Sequence, residues 1–439
     1  MNPEVLGLFL LAGLFLLILF GFPIAFTLIF VAAIAGYLGI GLGVFQMMVV
    51  QFEHTMELST LAAIPLFVFM GLILERAALM DRLFGAFRML FAPVRGSLYL
   101  AVILTAAVFA MATGIVGASV TVIGLMAGKM MIRAGYDTRL SAGAIAAGGT
   151  LGILIPPSIM LVVLGPILRV SILELFAAAV MPGLMLAALF VVYCMVRCYF
   201  QPHLGPALPV EERAPSGMHI AREFAIGVIP LAVVIAATLG SILAGLATPT
   251  EAAGMGAAGA LALTLLYRRM TWEKFRGAML QTLQTSSMVL ILIAAANFFG
   301  SVFSLLGTPF LITEWLLELG LSNAMLLLLL MLMMFLLGWF LDWAPIVLIF
   351  IPVMFPVIQE LDIDMVWFGA MVAVCLQTAW LSPPVALSAY FLKGVMPEWQ
   401  LKDIYLGMVQ FLALQLTGLL LLATFPQIAL WLPSVLLGR

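Results

Sequence analysis

Two proline pairs stand inside long apolar stretches of this chain, Pro156-Pro157 and Pro383-Pro384. A proline within a helix removes one backbone hydrogen bond and clashes with the carbonyl one turn back. In a bilayer the freed polar groups must be met by protein, water or an ion. Two such breaks at corresponding places in two halves of a membrane chain point to a central transport site. The chain is a membrane one by composition: 65% of its 439 residues are hydrophobic and 9% are charged, far outside the range of soluble domains. Its apolar runs are continuous, as in residues 324–337. That pattern excludes a β-barrel, whose strands alternate in short segments, and predicts an all-α polytopic fold. A net charge of −2 supplies no basic tail for nucleic acid.

A crossing needs about 20 apolar residues. Spans are expected near 3–20, 23–42, 97–128, 139–165, 172–197, 223–246, 248–268, 322–357, 365–393 and 404–433. The first twenty residues lack a basic region and a small-residue cleavage site, so they read as a retained helix. Residues 201–222 hold four prolines (Pro202, Pro206, Pro209, Pro215) and the pair Glu211-Glu212, a surface linker between a first half, 1–200, and a second, 223–439. Landmarks repeat between the halves. Phe22-Pro23 and Thr248-Pro249 stand 226 positions apart, Phe69-Met70-Gly71 and Phe298-Phe299-Gly300 229, Gly114 and Gly338 224, and the two proline pairs 227. An internal duplication is expected.

Residues 46–80 and 272–308 are apolar but interrupted, and each is expected to form a re-entrant hairpin. Pro65 would turn the first, and Asn297 lies in the equivalent region of the second; one kinked spanning helix in each place is the alternative. If both are hairpins, the loops divide the basic residues twelve against six. The richer set is then cytoplasmic, and the two halves are inverted repeats.

Each expected hairpin is followed by a glycine-containing interruption. The first, 112–119, contains Thr113, Gly114, Gly117 and Ser119. Glycine permits unwinding, which would aim carbonyls at a small hard cation; close helix packing through small residues is the other reading. The second, 338–345, contains Gly338 and Asp342, the one acid centred in a strongly apolar span. A carboxylate there costs about 2.5–3.5 kcal/mol on insertion scales, so it calls for a cation, a proton or a nearby donor. Before the proline pairs lie Gly148-Gly149-Thr150-Leu151-Gly152 and the stretch Gln377 to Ser382, with Thr378. Helix N-termini after Pro157 and Pro384 would present positive dipole ends to an anionic solute; structural kinks are the bland alternative. Glu251 after Thr248-Pro249-Thr250 reads as part of a capping box. Cys194, Cys198 and Cys375 read as buried small residues, and the scattered histidines make no metal cluster. The methionines read as core filling.

The strings Gly148 to Ser158, Ala247-Thr248-Pro249-Thr250-Glu251-Ala252-Ala253, Ala63-Ile64-Pro65-Leu66-Phe67 and Gly135-Tyr136-Asp137 together resemble the large membrane subunit of tripartite ATP-independent periplasmic (TRAP) transporters. The resemblance runs along almost the whole chain. It implies a sodium-driven elevator transporter in a bacterial inner membrane, with a mobile transport domain carried by a scaffold. It implies a periplasmic solute-binding protein that delivers an organic acid, and a small four-helix membrane subunit, expected here as a separate chain. Sodium ions are implied at Thr113, Gly114, Gly117, Ser119 and Gly149, and at Gly338, Asp342 and Thr378. The solute is then expected near Pro65, Asn297, Gly152, Pro156, Pro157, Ser382 and Pro383. Relatives often carry a serine-rich first interruption; here it reads Thr-Gly-Ile-Val-Gly-Ala-Ser, which shifts coordination toward backbone carbonyls. Trp339 and Trp343 flank Asp342 and set this pocket apart. The expected function is sodium-coupled uptake of an anionic organic solute, with a proton-coupled exchanger using Asp342 as the rival. An intramembrane enzyme would need a nucleophile with a base, and no central histidine is present.

Overall fold

The computed structural model describes residues 3–76, 79–114, 116–209 and 216–438, and every regular element among them is helical. The first half runs α1 (Pro3–Leu19), α2 (Ile24–Ile40), α3 (Gly43–Glu57), α4 (Ala63–Arg76), α5 (Leu79–Phe91), α6 (Ser97–Thr113), α7 (Val116–Arg133), α8 (Thr138–Thr150), α9 (Ile159–Leu168) and α10 (Ile172–Phe200). After α11 (Gly217–Gly227) the second half runs α12 (Ile229–Leu243), α13 (Pro249–Leu266), α14 (Trp272–Leu305), α15 (Thr308–Glu318), α16 (Asn323–Leu337), α17 (Trp343–Pro345), α18 (Ile351–Glu360), α19 (Met365–Gln377), α20 (Leu387–Val395), α21 (Leu401–Thr424) and α22 (Gln427–Leu437). Seven helices among the described residues are long and apolar enough to cross a bilayer.

The hairpins lie elsewhere than the sequence suggested. Residues 272–305 form one helix of 34 residues, with no turn at Asn297. Among the described residues of 46–80 the chain leaves the helical region only at Leu58 (φ −68°, ψ 94°), makes a single 3-10 turn and resumes as α4. Pro65 starts α4: its missing N–H falls in the first turn, where no intrahelical partner exists anyway. Both α3 and α4 lie along α14, so these segments are long arms, the kinked-helix alternative. The chain turns instead inside the expected spans 97–128 and 322–357, within the two expected glycine-containing interruptions, at Gly114 between α6 and α7 and at residues 338–342 between α16 and α17. Gly114 takes φ 62°, left-handed backbone that glycine adopts without penalty.

The proline pairs break their helices as expected. α8 ends at Thr150 and α9 begins at Ile159; α19 ends at Gln377 and α20 begins at Leu387. These four pieces hold 13, 10, 13 and 9 residues. At 1.5 Å per residue they reach about 14–20 Å, short of a hydrocarbon core of roughly 30 Å, so each pair crosses only together. Many of the extensive contacts join the halves: α8 with α21, α4 with α13, α2 with α14 and α10 with α19. At the α8–α21 crossing, a Cβ on Gly143 would stand 2.6 Å from the Gly407 carbonyl oxygen, and Arg139 Nε meets Asp403 Oδ1 at 2.9 Å. Small residues bring the backbones together there.

The expected linker is only partly a linker. Residues 210–215 lie outside the described residues. Residues 202–208 form a strap across the feet of α6 and α8: Gly96 N donates to Gly205 O (2.8 Å), Asp137 N to Leu204 O (3.0 Å) and the buried Tyr99 hydroxyl to the same oxygen (2.7 Å). Ser216 then caps α11, accepting from His219 N. Tyr99→Phe should therefore lower stability by about 1 kcal/mol, the usual net worth of one hydrogen bond, read as a reduced thermal midpoint in detergent. An unchanged midpoint would mean that the strap does not secure this foot.

Candidate transport site

Both turns meet the proline break of their own half. A Cβ placed on Gly114 would lie 3.6 Å from the Pro157 carbonyl oxygen and 3.8 Å from that of Gly152. The first turn therefore faces carbonyls freed by the broken helix and brings Gly114, expected at a sodium ion, beside Gly152 and Pro157, expected near the solute. Pro156 and Pro157 are buried there, and Ser158 Oγ donates to Ile153 O at 2.6 Å, closing one of the loose carbonyls. The side chain of Thr113 lies outside the described residues. Gly117, Ser119 and Gly149 sit beyond the turn on helices. A Cβ on Gly117 would meet the Phe391 ring at 2.9 Å, and one on Gly149 would stand 3.2 Å from Val120 N. Both permit close crossings, α20 over α7 and α7 over α8. Ser119 is fully buried in α7.

At the second turn, a Cβ on Gly338 would lie 2.9 Å from Ala379 Cβ, in the second break. A cavity of about 120 Å³ opens at this contact, lined by Gly338, Phe340, Leu341, Asp342, Ala379, Trp380, Val385 and Leu387. Asp342 is half-buried and caps α17, accepting from Trp343 N at 2.7 Å. Its carboxylate makes Asp342 the charged acceptor of the cavity. Thr378 is buried and its hydroxyl donates to Cys375 O at 2.5 Å, which leaves the oxygen lone pairs as acceptors. Ser382 is buried too, and its hydroxyl has no partner. Pro383 is exposed. Pro65 and Asn297 lie near a second cavity, and α4, which carries Pro65, packs against α6 and α9. Pro65 lines a separate cavity of about 520 Å³ between α3–α4 and α14, and Asn297 Nδ2 donates to Thr55 Oγ1 at 2.9 Å beside it.

A polar cluster the sequence reading passed over lies between the breaks. Gln415 Nε2 of α21 donates to Thr150 Oγ1 (3.0 Å) and lies 3.4 Å from Gln377 Oε1; all three residues are fully buried. Thr150 and Gln377 are the last helical residues before their breaks and stand 227 positions apart, the spacing of the proline pairs. The signal was present in Gln415, an amide in the middle of an apolar helix. The two sites thus offer carbonyls, hydroxyls and one carboxylate, hard oxygen donors that suit a small hard cation and not a soft one.

The family model described as "Tripartite ATP-independent periplasmic transporter, DctM component" matches residues 11–428. The chain belongs to the TRAP transporters. It is 33% identical over 388 residues to a C4-dicarboxylate TRAP transporter large permease protein of Pseudomonas aeruginosa, covering 88% of each chain. It is 29% identical over 423 residues to a sialic acid TRAP transporter large permease protein of Vibrio cholerae, covering 95% of this chain and 96% of the other. Among solved structures it is similar in fold to the Alcanivorax borkumensis YdaH transporter, with a TM-score of 0.66 at 16% identity over 97% of this chain and 98% of that one. TRAP permeases are transporters and not enzymes, and this one is a multi-pass protein of the bacterial inner membrane.

The contact at Gly338 carries a sharp expectation. Gly338→Ala puts a methyl against Ala379 and pushes the turn off its break, so uptake should fall at least tenfold, about 1.4 kcal/mol. Gly13→Ala, where nothing lies within 4 Å, should transport normally. Initial uptake rates in proteoliposomes at equal protein content compare the two; equal rates would separate the second turn from transport.

Proposed function

We propose that this TRAP permease takes up an organic anion by sodium symport, with the cations held where each turn meets the break of its own half. The observation that carries the reading is the pairing of Gly114 with the Gly152 and Pro157 carbonyls on one side, and of Gly338 and Asp342 with Ala379 on the other. Broken helices at bilayer depth are where transporters coordinate small cations. The solute class is supported by what related TRAP permeases are named for: C4-dicarboxylates, sialic acid and 2,3-diketo-L-gulonate, all carboxylates.

The driving force suffices in principle. Each net positive charge carried inward gains about 2.3 kcal/mol per 100 mV, so two or more sodium ions per monoanion are pulled in by the membrane potential. The duplicated order of elements supports two inverted repeats, with the turns and breaks as the moving transport domain and α2, α4, α13 and α14 as scaffold, in an elevator motion. The partners follow from the tripartite family: a periplasmic binding protein that hands over the solute and a small four-helix subunit against the scaffold. A relative of Oleidesulfovibrio alaskensis, an isethionate permease protein named DctMQ, is 28% identical, and the match covers 57% of its length, which leaves room in that chain for a fused second subunit.

Asp342→Asn keeps the shape of the α17 cap and removes the charge. Uptake driven by a sodium gradient should then lose at least tenfold in apparent sodium affinity, about 1.4 kcal/mol, in proteoliposomes supplied with the cognate binding protein. Uptake that follows a pH gradient and ignores sodium would establish the proton-coupled exchanger in its place.

A further inference from the structure

Trp380 lies in the 3-10 turn that follows α19 and lines the same cavity as Gly338 and Asp342. Its ring stacks on Phe391 of α20, with centroids 6.2 Å apart and planes inclined by 24°. Phe391 in turn rests on Gly117 of α7: a Cβ there would stand 2.9–3.3 Å from three carbons of the ring. The aromatic pair thus runs from the second turn to the arm of the first, across the space between the two sites. Trp380 is 8% exposed and lines the cavity, while Phe391, 42% exposed, backs it from outside the cavity lining.

Two polar groups of this wall are unused. Trp380 Nε1 and Ser382 Oγ are buried without a hydrogen-bond partner. A buried indole N–H ordinarily finds an acceptor. The basic residue of α20, Lys393, is committed elsewhere, donating to the carbonyls of Pro397 (2.9 Å) and Trp399 (2.7 Å). What the wall offers an incoming solute is therefore a flat apolar face with neutral donors at its edge, next to the carboxylate that would hold a cation.

We propose that Trp380, backed by Phe391, forms a selective wall of the solute chamber, and that it favours organic anions with a planar apolar group beside the carboxylate, such as arylcarboxylates. The wall deepens the proposed function and rests on its placement of the solute between the two turns. The ring face stacks on the planar group, and the indole N–H and the Ser382 hydroxyl take the carboxylate oxygens. Residues 338–342 enclose the cavity, so the solute reaches these donors when that turn lifts.

Phenylacetate and cyclohexylacetate share a carboxylate and a six-membered ring and differ in flatness; succinate has two carboxylates and no ring. Calorimetric binding of each to the purified protein, with and without saturating sodium, tests the wall. Phenylacetate should bind about tenfold tighter than cyclohexylacetate and tighter than succinate. Trp380→Phe should keep the preference for the flat ring while weakening both ring acids several-fold, because the ring stays and the donor goes. Phe391→Leu, which removes the ring that backs Trp380, should reduce the preference several-fold; it serves as the second variant should Trp380 prove necessary for folding, with a monodisperse elution profile as the check. Equal binding of the two ring acids, tighter binding of succinate, no binding of any probe, or a preference undiminished by Phe391→Leu each overturns the wall. Failure of the symport reading shows separately: sodium then changes the affinity of none of the probes, whereas sodium-enhanced binding without preference for the flat ring sinks the wall alone.

Discussion

Backbone carbonyls set free at bilayer depth are the constraint around which this molecule is built. Lipid offers them no donor, and each proline pair leaves several without a helical partner. The protein meets the demand locally, as when Ser158 donates to Ile153 O, and globally, by bringing a turn of the chain to each break. The Gly152 and Pro157 carbonyls beside Gly114 and the Asp342 carboxylate beside Gly338 are the oxygens on which the proposed cation binding rests. Transport chemistry here grows from a structural debt that helices alone leave open.

Close approach is the second requirement, and it is met by small side chains. The turn at Gly338 reaches Ala379, α20 crosses α7 at Gly117, and α8 meets α21 where Gly143 faces Gly407. None of these contacts tolerates a larger residue without displacement, because the neighbour is backbone or a ring. The buried cluster of Thr150, Gln377 and Gln415 then ties the last turns before both breaks to one helix. Polar groups enclosed this way act as a unit, so a shift at one break is felt at the other.

The sequence made the class and the breaks legible, because hydropathy and proline act over a few residues and carry their meaning with them. Asp342 and Gly114 were legible for the same reason: a charge or a flexible residue in an apolar run has few readings. The hairpins were not. Proline at position 65 looks the same whether it turns a chain or opens a helix, and only packing along α14 decides for the latter. At 114 the interruption was legible but the reversal of the chain was not, because the residues on either side are apolar or small and the run reads as one span. Pro65 and Asn297 were consequently expected at hairpin turns and lie instead within helices. Gln415 lay outside any local motif, and its meaning depends on residues 265 and 38 positions away.

The crossing of α8 with α21 has a consequence for how the molecule is made. Arg139 and Asp403 are separated by 264 residues, and Gly143 finds its seat against Gly407 only when α21 has been synthesised. At about 5–20 residues per second, the ribosome needs roughly 13–50 s to cover that interval. Throughout it, the first broken helix sits in the membrane without the helix that will cover it. Assembly of this protein is thus limited at its end, by the arrival of the last long helix, and a nascent chain stalled before α21 would hold an uncovered break in lipid.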